Sequence, residues 1–228
     1  MDSFTWKNQD SYLDYGIVIN IKPPLVRAEK NVEEIEIPGR DGDITVDDGT
    51  YKPIIFPFTC TLLDDTNLDE VKFWLDGYSD LILSWQSDRS FKAKMINKID
   101  IEQSLETFGE FPLIFKAQPF GYSLNNRLIT VTNTPSTIIN TATKDSKPVI
   151  KIYGNGNIEL TVNSNVIHLI NVIDYVTIDS DLLDCYKDTA LQNNNMSGEF
   201  PTLQIGTNAI SWVGTVTKVE ITPNWRWI

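Results

Sequence analysis

The chain has 228 residues and a mass of 25.9 kDa, and its 41% hydrophobic and 11% aromatic residues can fill a core, which excludes a disordered polymer. Its formal net charge of -12 repels a phosphate backbone and argues against nucleic-acid binding through a basic surface. Most of this charge lies in residues 1–120, with 12 Lys and Arg against 22 Asp and Glu, compared with 7 against 9 in residues 121–228.

The chain begins with short strand-like segments that are broken by Pro and Gly. Residues 15–21 are rich in β-branched side chains and stop at the Pro-Pro pair at 23–24, which predicts a strand followed by a break. Val32, Ile35 and Ile37 then lead into the turn formers at 38–43, and Ile44 and Val46 follow them. Residues 31–50 are therefore predicted to form a β-hairpin arm.

Further strands are predicted after the arm. Residues 51–63 have a strand pattern, in which Pro53 and Pro57 favour an edge position because proline has no N–H to donate. A bend is predicted at 118–122, where the first domain ends. Three more strand candidates precede this bend, at 81–85, 91–99 and 111–117.

One helix is predicted in this half. Thr66 and Asp69 resemble a capping box, and apolar residues recur at helical spacing until Gly77. Several strands with one helix packed on them predict an α+β domain over residues 1–124.

The second half, residues 125–228, is predicted to be a β-sandwich. Its composition shifts to Thr, Asn, Ile and Val, and short strand patterns follow one another without a helix. The Asn155-Gly156 pair between two alternating segments predicts a two-residue hairpin turn. The whole chain is thus predicted to be mainly β with two domains, and the return of the last residues to the first domain stays open.

The sequence offers little catalytic chemistry. His168 lies among apolar neighbours, which favours a structural role over a catalytic triad. One His with the distant Cys60 and Cys185 cannot supply a zinc cluster, and the two thiols are expected to be reduced and buried. We therefore predict no enzyme, no metal and no cofactor. A glycosidase with two carboxylates remains an alternative, since the chain has 31 acids.

Three tryptophans suggest a second alternative. Trp212, Trp225 and Trp227 could stack on sugars if a sandwich exposed them, but tryptophan is equally suited to a core or to a subunit contact. They are candidates for a partner or sugar contact, as in a carbohydrate-binding module that contributes to host-surface adsorption.

A series of segments, taken in order, resembles the siphophage distal tail protein family. The resemblance covers nearly the whole chain, although none of the segments is a chemical motif. The segments are I-P-G-R-D-G-D at 37–43, D-G-T-Y at 48–51, the helix at 66–77, F-K-A-Q-P-F-G-Y at 115–122, K-P-V-I-K-I-Y-G-N-G-N-I-E-L-T-V-N at 147–163, V-T-I-D-S-D at 176–181, N-N-N-M-S-G-E-F-P at 193–201, L-Q-I-G-T-N-A-I at 203–210 and I-T-P-N-W-R-W at 221–227.

This resemblance implies a phage tail hub. Residues 1–124 would be a belt domain that forms a homo-hexameric ring, and residues 125–228 a galectin-like or carbohydrate-module-like sandwich. The ring would join the tail-tube protein to a tail-associated, baseplate or fibre protein, with DNA passing through its lumen as cargo. The expected subunit-interface residues in the arm are Ile35, Ile37, Pro38, Gly39, Arg40 and Gly42.

The expected location is the virion tail tip, after synthesis and folding in the host cytoplasm, and a prophage could carry the gene. The N-terminus lacks the basic start and apolar stretch of a signal peptide. No apolar run approaches the roughly 20 residues that span a bilayer, so no membrane partner is expected.

Overall fold

A computed structural model of the chain describes residues 1–24, 26–63, 68–97 and 110–228. They divide into two compact units, one of Met1–Gly121 with Ile228 and one of Tyr122–Trp227. The predicted mainly β fold is confirmed, because the described residues form strands, one α-helix and a single 3₁₀ turn. No helix in these ranges is long and apolar enough to cross a membrane.

Nine strands and the helix begin in the first unit. Seven of the strands hydrogen-bond in the order β2-β1-β7-β8-β9-β6-β3, and β4 and β5 form a separate two-stranded sheet. In chain order the elements are β1 Phe4–Trp6, β2 Gln9–Asp10, β3 Ile17–Ile21, β4 Lys30–Glu36, β5 Asp43–Tyr51, β6 Ile54–Leu62, α1 Leu68–Leu75, β7 Tyr78–Leu83, β8 Gln86–Met95 and β9 Phe111–Ser123.

The core of this unit is aromatic and follows from alternation along the strands. Over residues 54–60 of β6 and 111–117 of β9 every second side chain is buried, as expected of strands that cover a core with one face. Phe4, Phe58 and Phe115 meet with ring centroids 5.4 to 5.7 Å apart, and Trp6 lies 5.0 Å from Phe115. Offset and edge-on ring contacts of this kind stabilise a core beyond the area that they bury.

The position of β6 differs from the predicted edge strand. It lies between β9 and β3, so the edge prediction is wrong for its second half. The partners in β3 end at Thr59, however, and Pro57 pairs only with Ile114 of β9. The chain therefore tolerates this proline because it lies where β6 has a neighbour on one side. The bend predicted at 118–122 is also absent, since β9 continues to Ser123.

Helix α1 packs its apolar side on the sheet. It buries Val71, Trp74 and Leu75 at the predicted spacing, and Gly77 follows its end with a φ of 87°, the left-handed conformation usual after a helix. The predicted cap at Thr66 and the end of the predicted strand at Ile99 lie outside the described residues.

Trp6 and Trp74 fasten the helix to the sheet through two reciprocal hydrogen bonds. The indole N–H of Trp6 donates to the carbonyl of Trp74 at 3.1 Å, and the indole N–H of Trp74 donates to the carbonyl of Trp6 at 3.0 Å. Both side chains are buried. The pair satisfies two buried donors and two buried acceptors at once.

Replacing Trp74 by Phe is expected to lower the free energy of unfolding by about 2 to 3 kcal/mol, because a buried carbonyl loses its donor and the smaller ring leaves a cavity. Phe73→Ala on the same helix is the control. The Phe73 side chain is 80% exposed, so its loss should cost less than about 0.5 kcal/mol. Denaturant unfolding of both variants measures the difference, and equal losses would contradict the assigned role of the pair.

The second unit contains ten strands and a 3₁₀ turn. They are β10 Ile129–Val131, β11 Ser136–Asn140, β12 Val149–Val162, β13 Asn165–Val172, β14 Tyr175–Asp179, β15 Asp184–Lys187, β16 Ala190–Leu191, the turn Asn193–Asn195, β17 Met196–Ser197, β18 Gly206–Thr222 and β19 Arg226–Trp227.

Two long strands, β12 and β18, run through both layers of this unit. The first half of β12 pairs with β14 and its second half with β13. Likewise, β18 pairs with β11 near its start and with β10 near its end. Strands that bend from one layer into the other are a known way to build a sandwich, and the arrangement is sandwich-like, as predicted.

Glycines permit the bend. A Cβ atom on Gly154 would lie 2.2 Å from the carbonyl oxygen of Thr215, and one on Gly214 would lie 2.6 Å from that of Asn157. The register of β12 against β18 shifts in this region. Such shifts mark β-bulges, which bend strands.

The hairpin turn predicted at Asn155-Gly156 is therefore wrong. Gly156 does have a positive φ of 81°, but the pair lies within β12 at its bulge. The two-residue turn occurs later, after Val162, which pairs with Asn165 across Asn163 and Ser164.

Candidate interaction surface

The two-stranded sheet of β4 and β5 in the first unit is the most exposed secondary structure there, and we call residues 30–51 the arm. Most of its side chains are exposed, and the others are half-buried. Its strands pair from Lys30 opposite Tyr51 to Glu36 opposite Asp43, with a register shift beside Lys30. The predicted hairpin at 31–50 is present.

The tip of the arm has a defined turn. The N–H of Arg40 donates to the carbonyl of Ile37 at 3.1 Å, Pro38 follows Ile37, and Gly39 has a φ of 83°. Proline followed by a positive-φ glycine within such a hydrogen bond is a type II turn. Gly42, with a φ of 76°, then leads the chain into β5.

The arm has one apolar and one acidic face. Side chains opposite each other in an antiparallel pair share a face, so Ile35 lies beside Ile44, and Val46 beside Glu33. The opposite face carries Val32 and the acidic residues Glu34, Glu36, Asp43 and Asp47. We call the side with Ile35, Ile44 and Val46 the apolar face of the arm.

Two of these apolar side chains, Ile35 and Val46, remain exposed in the described part of the chain, while Ile44 is half-buried. Ile35 is 43% exposed and Val46 is 46% exposed, while Ile37 at the tip is 36% exposed. An isolated two-stranded hairpin is marginally stable in water, and apolar residues grouped on an exposed surface commonly mark a protein contact. The apolar face is thus suited to burial against another protein.

Polar contacts hold the base of the arm. Lys30 forms an ion pair with Asp47, and this hydrogen bond raises the pKa of Lys30. The side-chain amide of Asn31 donates to Thr50 at 2.6 Å, and the ring of Tyr51 lies edge-on to Phe120 at 5.4 Å. These contacts order the root of the hairpin where it joins the unit.

The three tryptophans do not form an exposed platform. Trp212 is 9% exposed and belongs to the core of the second unit. Trp225 is half-buried and packs against that core, and Trp227 is half-buried in β19. Sequence composition could not distinguish the core position of Trp212 and the half-buried positions of Trp225 and Trp227 from a sugar-stacking surface.

A different polar surface in the second unit was missed. On the outer side of β12, β14 and β18, Tyr153 and Tyr175 lie with ring centroids 5.8 Å apart. The ammonium of Lys151 lies 3.9 Å from the centroid of Tyr175, and that of Lys218 lies 4.3 Å from the centroid of Tyr153. In the sequence, the alternation of Lys151 and Tyr153 with apolar isoleucines was the pattern that could have indicated this surface.

The two cysteines and the one histidine of the chain lie in the second half of β6, in β15 and in β13. Burial raises the pKa of Cys60 to about 12 and that of Cys185 to about 11, so both thiols stay protonated at neutral pH. His168 lies on an exposed strand position 3.5 Å from Glu159. Across the described ranges, no three His, Cys, Asp or Glu residues are grouped to hold a metal ion.

Comparison with protein-family models finds no match. Comparison with curated protein sequences finds none either. Among solved structures, the chain is similar over its full length to the Dit protein of phage SPP1, which is described as a paradigm of hub adsorption apparatus in phages that infect Gram-positive bacteria. The TM-score is 0.79 at 12% identity, with all of both chains covered. The predicted resemblance is thus confirmed at the level of the fold.

Two chains from the baseplate of phage P2 in its activated conformation, with calcium and with strontium, also match over 97% of each chain. Their identities are 9% and 10%, and their TM-scores are 0.49 and 0.48. These scores are too low to add to the fold assignment.

Proposed function

We propose that this chain is a structural, non-enzymatic subunit of a siphophage tail, in which residues 1–124 form a ring at the distal end of the tail tube. The observation that carries the proposal is the arm, a hairpin whose apolar face keeps Ile35 and Val46 exposed in the described part of the chain. The fold shared with the SPP1 Dit protein over the full length supports the same role.

The arm is suited to a ring because each copy would place its arm on the next copy and receive the arm of the copy before it. A contact in which an arm meets a different surface on the next copy is heterologous, and such contacts close into rings when the rotation allows it. Ile35 and Ile37 would supply apolar contact, while Pro38, Gly39, Arg40 and Gly42 shape the tip that is inserted. We propose six copies in the ring.

The partners in this proposal lie on the two faces of the ring. One face would bind the tail-tube protein and the other a tail-associated, baseplate or fibre protein, and DNA would pass through the lumen without specific binding. The formal charge of -12 fits a channel protein that must not retain DNA. Residues 125–228 would form the peripheral domain, and the virion tail tip would be the location.

Light scattering across a concentration series, with negative-stain imaging of the heaviest fraction, tests this proposal. We expect a transition from 25.9 kDa monomers to particles of six copies, with six-fold rings in the images. Assembly should depend on concentration, because association follows mass action. A monomer at every concentration, with the tail-tube protein added as well, would refute the proposal.

A further inference from the structure

A depression of about 320 Å³ opens on the outer side of the second unit, beside the tyrosines described above. Its lining includes Lys151, Tyr186, Asp188 and Glu220. The register places Lys151 next to Glu220 on one side and next to Thr177 on the other, and Thr177 next to Tyr186. We propose that this depression binds a neutral saccharide of one or two sugar rings.

The depression offers carboxylate acceptors that are already held in place. Glu220 accepts hydrogen bonds from Tyr153 at 2.9 Å and from Lys218 at 2.6 Å, and Asp188 accepts one from Tyr175. The bond from Lys218 lowers the pKa of Glu220, which therefore stays ionised. A carboxylate has about four lone-pair sites, so both groups can still accept from sugar hydroxyls.

Lys151 supplies the complementary donor. Its ammonium contacts the faces of Tyr175 and Tyr153 at 3.9 and 5.1 Å from the ring centroids. Unlike Lys218, it has no hydrogen bond or ion pair to any residue in the described part of the chain. An ammonium has three donors, and a sugar hydroxyl, which both donates and accepts, can bind Lys151 and a carboxylate together.

The charges of the lining favour a neutral ligand over an acidic one. Two carboxylates, Asp188 and Glu220, face one ammonium, that of Lys151. Lys218 offsets the charge of Glu220, and Lys187 is paired with Asp174 at 3.2 Å, so these groups together carry no net charge. A ligand with its own carboxylate or phosphate would therefore lose its hydration without meeting a net opposite charge.

Tyr186 supplies the apolar wall. It is half-buried and lines the depression, which allows the C–H side of a pyranose to pack on the ring while its hydroxyls reach the charged groups. The volume lies at the small end of ligand pockets, about 300 to 1,000 Å³. Because hydrogen bonds and ring contacts already fix Tyr153, Tyr175 and Glu220, little side-chain freedom is lost on binding.

Titration of the full chain with sugars, followed by amide resonances in two-dimensional NMR, tests the inference. The probes are glucose, galactose, N-acetylglucosamine and their disaccharides, with glucuronic acid and glucose 6-phosphate as acidic counterparts. We expect at least one neutral sugar to give saturable shifts centred on Lys151, Thr177, Tyr186 and Glu220. Its acidic counterpart should bind at least about tenfold more weakly.

Two variants and a control locate the binding. Lys151→Met and Tyr186→Ala should each weaken it at least about tenfold, whereas Tyr78→Ala, which removes a 76% exposed tyrosine of the first unit, should leave it unchanged. No saturation by any neutral sugar, equal binding of the acidic sugars, or shifts centred on Trp225 and Trp227 would each overturn the inference. Ring assembly is not required, so the outcome is independent of the tail function.

Discussion

A chain with threonine in place of both Ile35 and Val46 is expected to assemble into rings only at about 100-fold higher concentration than the unmodified chain. Both residues lie on the apolar face of the arm and are more than two-fifths exposed. Threonine keeps the strand preference of the arm, but each buried hydroxyl without a partner costs about 1 to 3 kcal/mol. Light scattering across a concentration series measures the midpoint.

Val32→Thr is the matched control for this variant. Val32 is 42% exposed and belongs to the same hairpin, but it lies opposite Asp47 on the acidic face. Its replacement should move the midpoint by less than about threefold, which is within about 0.7 kcal/mol. If both variants assemble like the unmodified chain, the arm does not form the ring contact. If both fail equally, the acidic face is also buried.

Gly154→Ala is expected to lower the free energy of unfolding of the second unit by about 3 kcal/mol. The added Cβ would lie 2.2 Å from the carbonyl oxygen of Thr215 and 2.9 Å from a methyl of Ile158. The carbonyl oxygen of Thr215 belongs to the backbone of β18 and cannot rotate away, so β12 and β18 would have to move apart. Denaturant unfolding followed through amide resonances of the second unit gives the loss.

Gly156→Ala separates this close approach from simple backbone strain. Gly156 has a φ of 81° and nothing within 4 Å of an added Cβ. Its replacement should lower the free energy of unfolding by about 1 kcal/mol, because alanine is strained in the left-handed conformation. A larger loss at Gly156 than at Gly154 would mean that strain, and not the contact with Thr215, sets the requirement for glycine.

The sequence predicted those features that depend on local chemistry. The arm followed from the turn formers at 38–43 between two short apolar segments, and the helix followed from the spacing of Val71, Trp74 and Leu75. The Asn155-Gly156 pair misled because a positive φ at glycine serves both a hairpin turn and a bulge. Only the partners across the sheet distinguish the two, and these partners are about 60 positions away in β18.

The candidate surfaces were predicted unevenly for the same reason. The turn residues indicated the hairpin, and Ile35 and Ile37 are exposed in this hairpin, whose two-stranded sheet is separate from the larger one. Trp212 and Tyr153 could not be assigned in this way, because pairing across four strands decides which side of the sandwich each faces. The lysine and tyrosine surface exists only after β12, β14 and β18 are aligned.

The two bent strands have a consequence for how the second unit folds and opens. Because β12 and β18 belong to both layers, neither layer can detach while the other stays intact, and partly unfolded forms should be scarce. Their pairing also joins distant parts of the chain, which raises contact order and slows folding. The sandwich should therefore form slowly. Once it has formed, its central amide hydrogens should exchange with solvent mainly through complete unfolding.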